Sequence, residues 1–407
     1  MSKIDELIQQ YCPDGVEYKK IGNLATFRRG SFPQPYGRSE WYDGEGAMPF
    51  VQVADIADNM KLVANTKRKI SLVAQPLSVF APQGSIIISL QGSIGRIAVT
   101  QYDAYIDRTV AIFYNLQPII EKKYFVYQLQ RIFDIKEKTA RGSTIKTITK
   151  EEFTEFEIPV PPMEVQREIV HILDSFTFYT SELSAELSAR REQFQCYLDK
   201  LLSVDKQKKK ELVKISDLGV MTRGKRFVKA DAVEKGVPCI HYGELYTHYG
   251  VWAKETKSQI RNEIASGLRF AAKNDVVIVG AGENDWDIGV GVAWLGDYGV
   301  AIHDACYYLR HNQNPKYISY CLRTTSYHQQ IKKYVSTGKI CAISSEGIGK
   351  AIIYLPSIEE QNRIVELLDR FYVIINDITE GLPAEIDARQ KQYEYYRDKL
   401  LHFKRIN

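Results

Sequence analysis

The sequence lacks the features on which several large classes of protein depend. No stretch approaches the roughly 20 apolar residues that cross a bilayer, and the opening Met1-Ser2-Lys3-Ile4-Asp5-Glu6 carries no apolar signal core. The chain is therefore expected to be cytoplasmic, with no membrane contact. Its six cysteines (Cys12, Cys196, Cys239, Cys306, Cys321 and Cys341) include no C-x-x-C pair. That argues against a zinc site and, in a reducing compartment, against a disulfide framework. The seven histidines show no paired ligand spacing, so no metal site is expected. A strong charge of one sign is missing too: 54 Lys+Arg against 50 Asp+Glu leave a net charge of +4, which permits a nucleic-acid partner without requiring one. The remainder, 407 residues of which 44% are hydrophobic and 26% charged, is the balance of a globular protein with two or more domains.

Catalytic motifs are equally scarce. The Asn/Asp-Pro-Pro-aromatic motif of adenine methyltransferases is not met by Pro161-Pro162, which stand between Val160 and Met163. Val276 to Gly282 reads as a strand followed by G-x-G, but Asp285 occupies the third glycine position and no helical pattern follows. An ordinary strand-to-loop turn is the better reading. Gly338-Lys339-Ile340 lacks the Ser or Thr of a phosphate loop, and Lys333 stands where its first glycine would be. Asp14 with Glu17-Tyr18-Lys19 imitates a nuclease carboxylate set, at a spacing too short to hold a core strand between the acids. The chemistry is expected on other polypeptides.

What is present is a repeat. Lys20-Ile21, Leu24 and Arg29-Gly30 return as Lys214-Ile215, Leu218 and Arg223-Gly224, 194 residues later. Lys123-Tyr124, Tyr127 and Leu129 return as Lys316-Tyr317, Tyr320 and Leu322, a shift of 193. Gln166, Ile169-Val170 and Leu173-Asp174 return at a shift of 195, and Asp199-Lys200-Leu201-Leu202 at 199. Four matches in one order at nearly one shift identify a tandem duplication.

Each half starts with short β-branched and aromatic runs broken by Gly, Pro and Asn; Gly84 to Leu90 and Asp275 to Val279 are the clearest core strands. A short helix is expected over Lys123 to Lys136 and another over Pro315 to Tyr334. After Pro161-Pro162 and after Pro356 the periodicity becomes that of a long helix. In the first, Ile169, Leu173, Phe176, Thr180, Leu183, Leu187, Arg190, Phe194, Tyr197 and Leu201 follow alternating steps of 4 and 3, a coiled-coil seam with two polar interruptions. In the second, Ile364, Leu368, Phe371, Ile375, Ile378 and Leu382 keep that register, an extra step of 4 reaches Ile386, and Arg389, Tyr393, Tyr396 and Leu400 resume it. The four added residues are close to one turn and preserve the face, while Gly381-Leu382-Pro383 should break or kink the helix locally. The expected fold is α+β. A β-rich domain at 1–160 precedes a long helix at 161–203; a second β-rich domain at 204–355 precedes a long helix at 356–407. The two helices are expected to pair as an antiparallel coiled coil about a pseudo-twofold axis. Each rod of about 40 residues would be about 60 Å long, a scale compatible with half-sites spaced by turns of a DNA duplex.

Two β-rich domains, each followed by P-x-x-E-x-Q-x-x-I-V-x-(I/L)-L-D (Pro161 to Asp174 and Pro356 to Asp369), resemble the DNA-specificity subunit of type I restriction–modification enzymes. Ile378 to Pro383 and Arg389 to Asp398 resemble the IC group of that family. The resemblance implies a non-catalytic subunit whose two target-recognition domains each read one half of a bipartite, asymmetric site on double-stranded DNA. The helical rod would set the gap and dock two modification subunits, which bind S-adenosylmethionine and methylate adenine at N6. Restriction subunits hydrolysing ATP, with magnesium, would join them, and this chain would carry no cofactor of its own.

Base reading needs donors and acceptors on loops, positioned by basic side chains on phosphates. The candidates in the first domain are Arg28, Arg29, Ser31, Gln52, Asp55, Gln91, Ser93, Arg96, Asp107, Arg108, Arg141, Ser143, Thr144 and Lys146. In the second they are Arg223, Lys225, Arg226, His241, Tyr242, Glu244, Glu283, Asn284, Asp287, His303, Asp304 and Lys339. For each alone, a solvated or turn-stabilising role is the simpler reading; the loops count as a set. Gly30, Gly92, Gly142, Gly224 and Gly338 would allow either close approach to phosphate or a turn with positive φ. Three other readings compete. One is the specificity subunit of a IIB-like bifunctional restriction system; another is an interaction scaffold that does not bind DNA. The third, a self-sufficient methyltransferase, is opposed by the missing motifs.

Overall fold

The computed structural model describes residues 2–139, 150–203, 211–377 and 381–406. Arg141, Gly142, Ser143, Thr144, Lys146 and Ile378 lie outside them. The chain forms two compact units that interleave along the sequence, one of Met1–Leu183 with Ile386–Asn407 and one of Ser184–Glu385. Each β-rich domain thus folds with the near end of its own long helix and the far end of the other, across the linear boundaries drawn from the sequence.

Unit one holds two four-stranded sheets. One runs Thr26–Arg29, Val110–Tyr114, Ile86–Ser89, Ile97–Val99, all antiparallel. The other runs Arg68–Ile70, Met48–Val51, Ala104–Ile106, Val79–Ala81, with the middle pair parallel. Ile86, Ile87 and Ile88 are buried on both faces, which is why that run is β-branched throughout rather than alternating. The helix Lys122–Thr139 lays Tyr124, Phe125 and Leu129 into the core with no exposure, and Phe27, Phe113, Phe125 and Phe153 meet there ring to ring. The end of the chain closes the unit: Val16 N–H donates to Lys404 O (2.8 Å), the Tyr18 hydroxyl to Phe403 O (2.8 Å) and Gln128 Nε2 to Leu401 O (3.1 Å).

Unit two repeats the plan with two five-stranded sheets. The first runs Gly219–Arg223, Cys306–His311, Val276–Val279, Gly291–Trp294, Trp252–Ala253; the second Ala232–Val233, Ser258–Ile260, Val237–Ile240, Val300–Ile302, Phe270–Ala271. The single helix expected over Pro315 to Tyr334 is two, Pro315–Cys321 and Thr325–Ile331, followed by a 3₁₀ turn. Thr324 divides them, because its hydroxyl accepts from Tyr327 N–H and caps a new helix instead of continuing the old one.

The motif that opens each long helix is a pair of clamps made twice. Gln166 and Gln361 are fully buried. Gln166 takes Glu121 N–H (2.7 Å) and donates to Pro161 O (2.7 Å) and Ile119 O (2.8 Å). Gln361 takes Asn314 N–H (3.1 Å) and donates to Pro356 O (2.8 Å) and to the Gln313 side chain (2.9 Å). About two helical turns further on, Asp174 binds Lys123 and the Tyr127 hydroxyl, and Asp369 binds Lys316 (2.6 Å) and the Tyr320 hydroxyl (2.8 Å). These side chains fix each β-rich domain to its helix.

The first long helix is Met163–Leu201 and the second is Ile358–Asn376 followed by Leu382–Leu400. The break falls where expected. A side chain at Gly381 would meet the carbonyl oxygens of Asp377 and Val373 at 2.6 and 2.7 Å, while Pro383 sits in a first turn that needs no N–H. Of the seam, Ile169, Leu173, Ile364, Leu368, Ile375 and Leu400 are buried. Phe176, Leu183, Leu187, Phe194, Leu201, Phe371, Leu382, Tyr393 and Tyr396 are half-buried. Tyr197 is 42% exposed, whereas its neighbours Leu198 and Leu202 enter the core of unit two. Near a β-rich domain the helix buries a second stripe, Val165, Leu198, Val365 and Leu401 among them, which a two-helix seam does not anticipate. One aromatic contact recurs at the repeat shifts of 195 and 199: Phe176 on Tyr396 in unit one (5.5 Å) and Phe371 on Tyr197 in unit two (5.4 Å). In unit two Phe194 also meets Tyr372, so the contacts run in opposite directions along the two helices, as antiparallel neighbours require.

Candidate nucleic-acid interface

Strand register gathers the candidate loops. In unit one Arg29 lies opposite Ala111, Val110 opposite Ser89, and Ile97 opposite Ile88, while Val51 runs parallel beside Ile106. The segments that follow Arg29, Val51 and Ile106, and the turn between Ser89 and Ile97, therefore leave one end of the paired sheets. In unit two Arg223 lies opposite Tyr307, Val279 opposite Cys306 and Ile278 opposite Gly291, and Ile240 runs beside Ile302. The same end is formed. There the pairing of Ala281–Gly282 with Cys341–Ala342 adds the Lys339 turn.

Within those ends the side chains divide into two sorts. Arg28, Arg29, Gln91, Ser93 and Arg108 are exposed in unit one, as are Arg223, Lys225, Arg226, Glu283 and Lys339 in unit two. Arg108 lies over the Tyr36 ring at 5.2 Å. Others are engaged by the fold. Ser31 donates to Leu77 O (3.0 Å), Arg96 to Ile56 O (2.9 Å) and Asn284 to Asp287 (3.1 Å), and Arg223, although exposed, also gives its Nε to Asp304 O (2.7 Å). Asp55 is buried, accepting from Gln52 N–H and Lys67 N–H, and so is Asp107, which takes the Tyr36 hydroxyl and Thr109. Glu244 accepts from His241 N–H and the Ser258 hydroxyl. These brackets shape turns. Gly30 and Gly224 answer to their own backbone: a Cβ there would lie 2.3 Å from Ile106 O and 2.2 Å from Ile302 O.

His241, Tyr242 and His303 form one aromatic cluster, with His241 4.5 Å from both of the other rings. His303 Nε2 lies 3.1 Å from Phe227 O while Nδ1 receives Ala305 N–H at 3.1 Å, the pattern of a neutral ring protonated at Nε2. Burial lowers the pKa of both histidines, and for His303 the His241 ring adds to the shift. Three groups at these ends escaped the sequence reading: Tyr36, Trp286 (68% exposed) and Ile340 (64% exposed). Tyr36 gave no clue, since its partner Asp107 is 71 residues away. Trp286 and Ile340 stand inside turns that were singled out and could have been found as apolar residues among polar ones.

In the nuclease-like set Lys19 pairs with Glu17 at 3.1 Å, and the Tyr18 hydroxyl is spent on Phe403 O. The G-x-G stretch is strand Val276–Val279, then Ala281–Gly282 and a 3₁₀ turn. Among the described residues no group of three His, Cys, Asp or Glu is placed to hold a metal ion, and no described helix is long and apolar enough to cross a membrane.

Comparison with known proteins gives one consistent result. A family described as the type I restriction modification DNA specificity domain matches residues 13–192 and again 207–388. A Haemophilus influenzae chain named as a type I restriction enzyme specificity subunit is 31% identical over 278 residues, 64% of this chain and 68% of that one. The Escherichia coli EcoR124I/EcoR124II specificity subunit is 33% identical over 274 residues, 62% of this chain and 64% of its own length. These alignments span about two thirds of each relative. Among solved structures, a chain from a study of complex assembly and conformational transition of the type I R-M system shares the fold at a TM-score of 0.62 and 15% identity, covering 96% of this chain and 98% of that one.

Proposed function

This chain belongs to the type I restriction–modification DNA specificity family, and on that premise we propose that it is the non-catalytic, sequence-specific DNA-binding subunit of such a complex. Unit one reads one half of a bipartite asymmetric site and unit two the other. The observation that carries this reading is the convergence, in each unit, of the candidate loops on one end of the paired sheets, with exposed arginines and lysines beside acceptors and aromatic groups. The basic side chains position the duplex through its phosphates, and the turns between strands address base edges in a groove. The long helices, each with ends in both units, set the gap and dock two modification subunits that methylate adenine at N6. Restriction subunits join these. S-adenosylmethionine, ATP and magnesium belong to the partners, the complex works in the cytoplasm, and Ile378 to Pro383 with Arg389 to Asp398 support a place in the IC group.

The test is to purify the chain with its modification subunits, map N6-methyladenine in cells carrying both, and measure affinity for duplexes with and without the mapped motif. A bipartite motif bound selectively is expected. Equal affinity for both duplexes would leave the scaffold reading in its place.

A further inference from the structure

Trp286 is the one tryptophan of four that the fold leaves exposed; Trp294 is fully buried, and Trp41 and Trp252 are half-buried. It stands at the middle of the 3₁₀ turn Asp285–Asp287, at the loop end of unit two. The turn is built to hold it there. Ile288, two residues on, is completely buried and supplies the apolar anchor. Gly289, at φ +84°, donates its N–H to Val279 O (2.8 Å), and its carbonyl takes the buried Tyr327 hydroxyl (3.1 Å). Asn284 ties to Asp287 across the turn (3.1 Å), and Gly282 is paired in register with Cys341. A large apolar ring on a rigid tip, not needed by the core, marks a surface that a ligand covers.

Its surroundings decide which ligand. Glu283 and Asp285 are exposed and Asp287 half-buried, so the tip itself repels phosphate. The cations that would hold phosphate, Lys225, Arg226 and Lys339, are on neighbouring segments of the same end. A backbone held beside the tip carries the tip into a groove, where carboxylates suit the exocyclic amino groups of cytosine and adenine and an indole suits the face of a base. The matching turn of unit one, between Ser89 and Ile97, exposes Gln91 and Ser93 with Gly92 at φ +80° and has no aromatic residue.

We propose that Trp286 is a base-stacking residue of this subunit, entering the duplex at the half-site read by unit two, with no counterpart in unit one. The inference rests on the DNA-reading role proposed above. The complex with its modification subunits is titrated with a duplex carrying the mapped motif and with a scrambled duplex, for the wild type, Trp286→Ala and Trp286→Phe. Thermal midpoints confirm that all three fold. The cognate duplex should quench indole emission in the wild type and leave Trp286→Phe, which lacks that indole, unquenched. Trp286→Ala should bind the cognate duplex roughly five- to 150-fold more weakly, the range of a lost base–aromatic stack. Trp286→Phe should keep most of the affinity, and binding of the scrambled duplex should stay unchanged. If the wild type discriminates between duplexes while its emission is unquenched and Trp286→Ala binds within twofold of it, this inference falls and the DNA-reading role stands. If Trp286→Ala instead loses its modification subunits, the ring is a protein contact and the inference also falls. A wild-type complex that cannot tell the duplexes apart overturns the DNA-reading role itself.

Discussion

At the scale of single residues, the parts of the sequence that repeat turn out to be brackets. Gln166 and Gln361 each answer one backbone N–H and two further acceptors at a helix start, inside a fully buried site. Truncation leaves those buried groups unpaired, which costs the desolvation of each. Gln166→Ala and Gln361→Ala should therefore each lose about 2 to 4 kcal/mol of stability in denaturant unfolding, with the two losses similar because the bracket is duplicated. Charge titration, by contrast, separates the units. His241, His303, His311 and His328 all lie in unit two, and burial lowers the pKa of each from 6.5. A histidine held neutral in the fold takes up its proton more readily when unfolded, so stability is complete above pH 6.5 and declines as pH falls below it. Amide exchange at pH 7.5 and 5.5 should show unit two losing protection at the lower pH; equal protection at both would contradict the assignment. The motif residues were legible because an Asp or Gln at a fixed place in a helical pattern is conspicuous. Tyr36 and Asp107 were not, because their bond joins residues far apart in sequence whose meeting depends on the whole sheet.

At the scale of elements, periodicity carried most of the fold. Runs such as Ile86-Ile87-Ile88 and Val276 to Val279 are strands, and both long helices appear with the break at Gly381. Competition from local contacts hid the rest. Thr324 splits a helix by capping, and Leu198 and Leu202, beside the seam rather than in it, are drawn into a sheet core. The stutter in the second helix gives a direct test of the spacing role. Adding or deleting four residues near Gly381 keeps the helical face, since four residues are close to one turn, but alters length. The gap in the methylated motif should change, or assembly should fail. An unchanged gap with full methylation would count against the helices as a ruler.

For the whole molecule, the chain order and the compact units do not coincide. The last residues of the chain complete the first unit, as the hydrogen bonds of Val16 and Tyr18 to Lys404 and Phe403 show. Nothing in local pattern announces such a closure, and it explains why boundaries drawn along the sequence cut through both units. Each unit nonetheless presents its own set of loops from its own paired sheets, so the two sets should be separable in function. Exchanging Leu212 to Leu355 for the corresponding segment of a relative that methylates a different motif, then mapping N6-methyladenine in cells carrying the hybrid and its modification subunits, puts this most directly. One half of the motif should become that of the donor while the other half and the gap stay as they were; a motif altered in both halves, or in neither, would contradict the account.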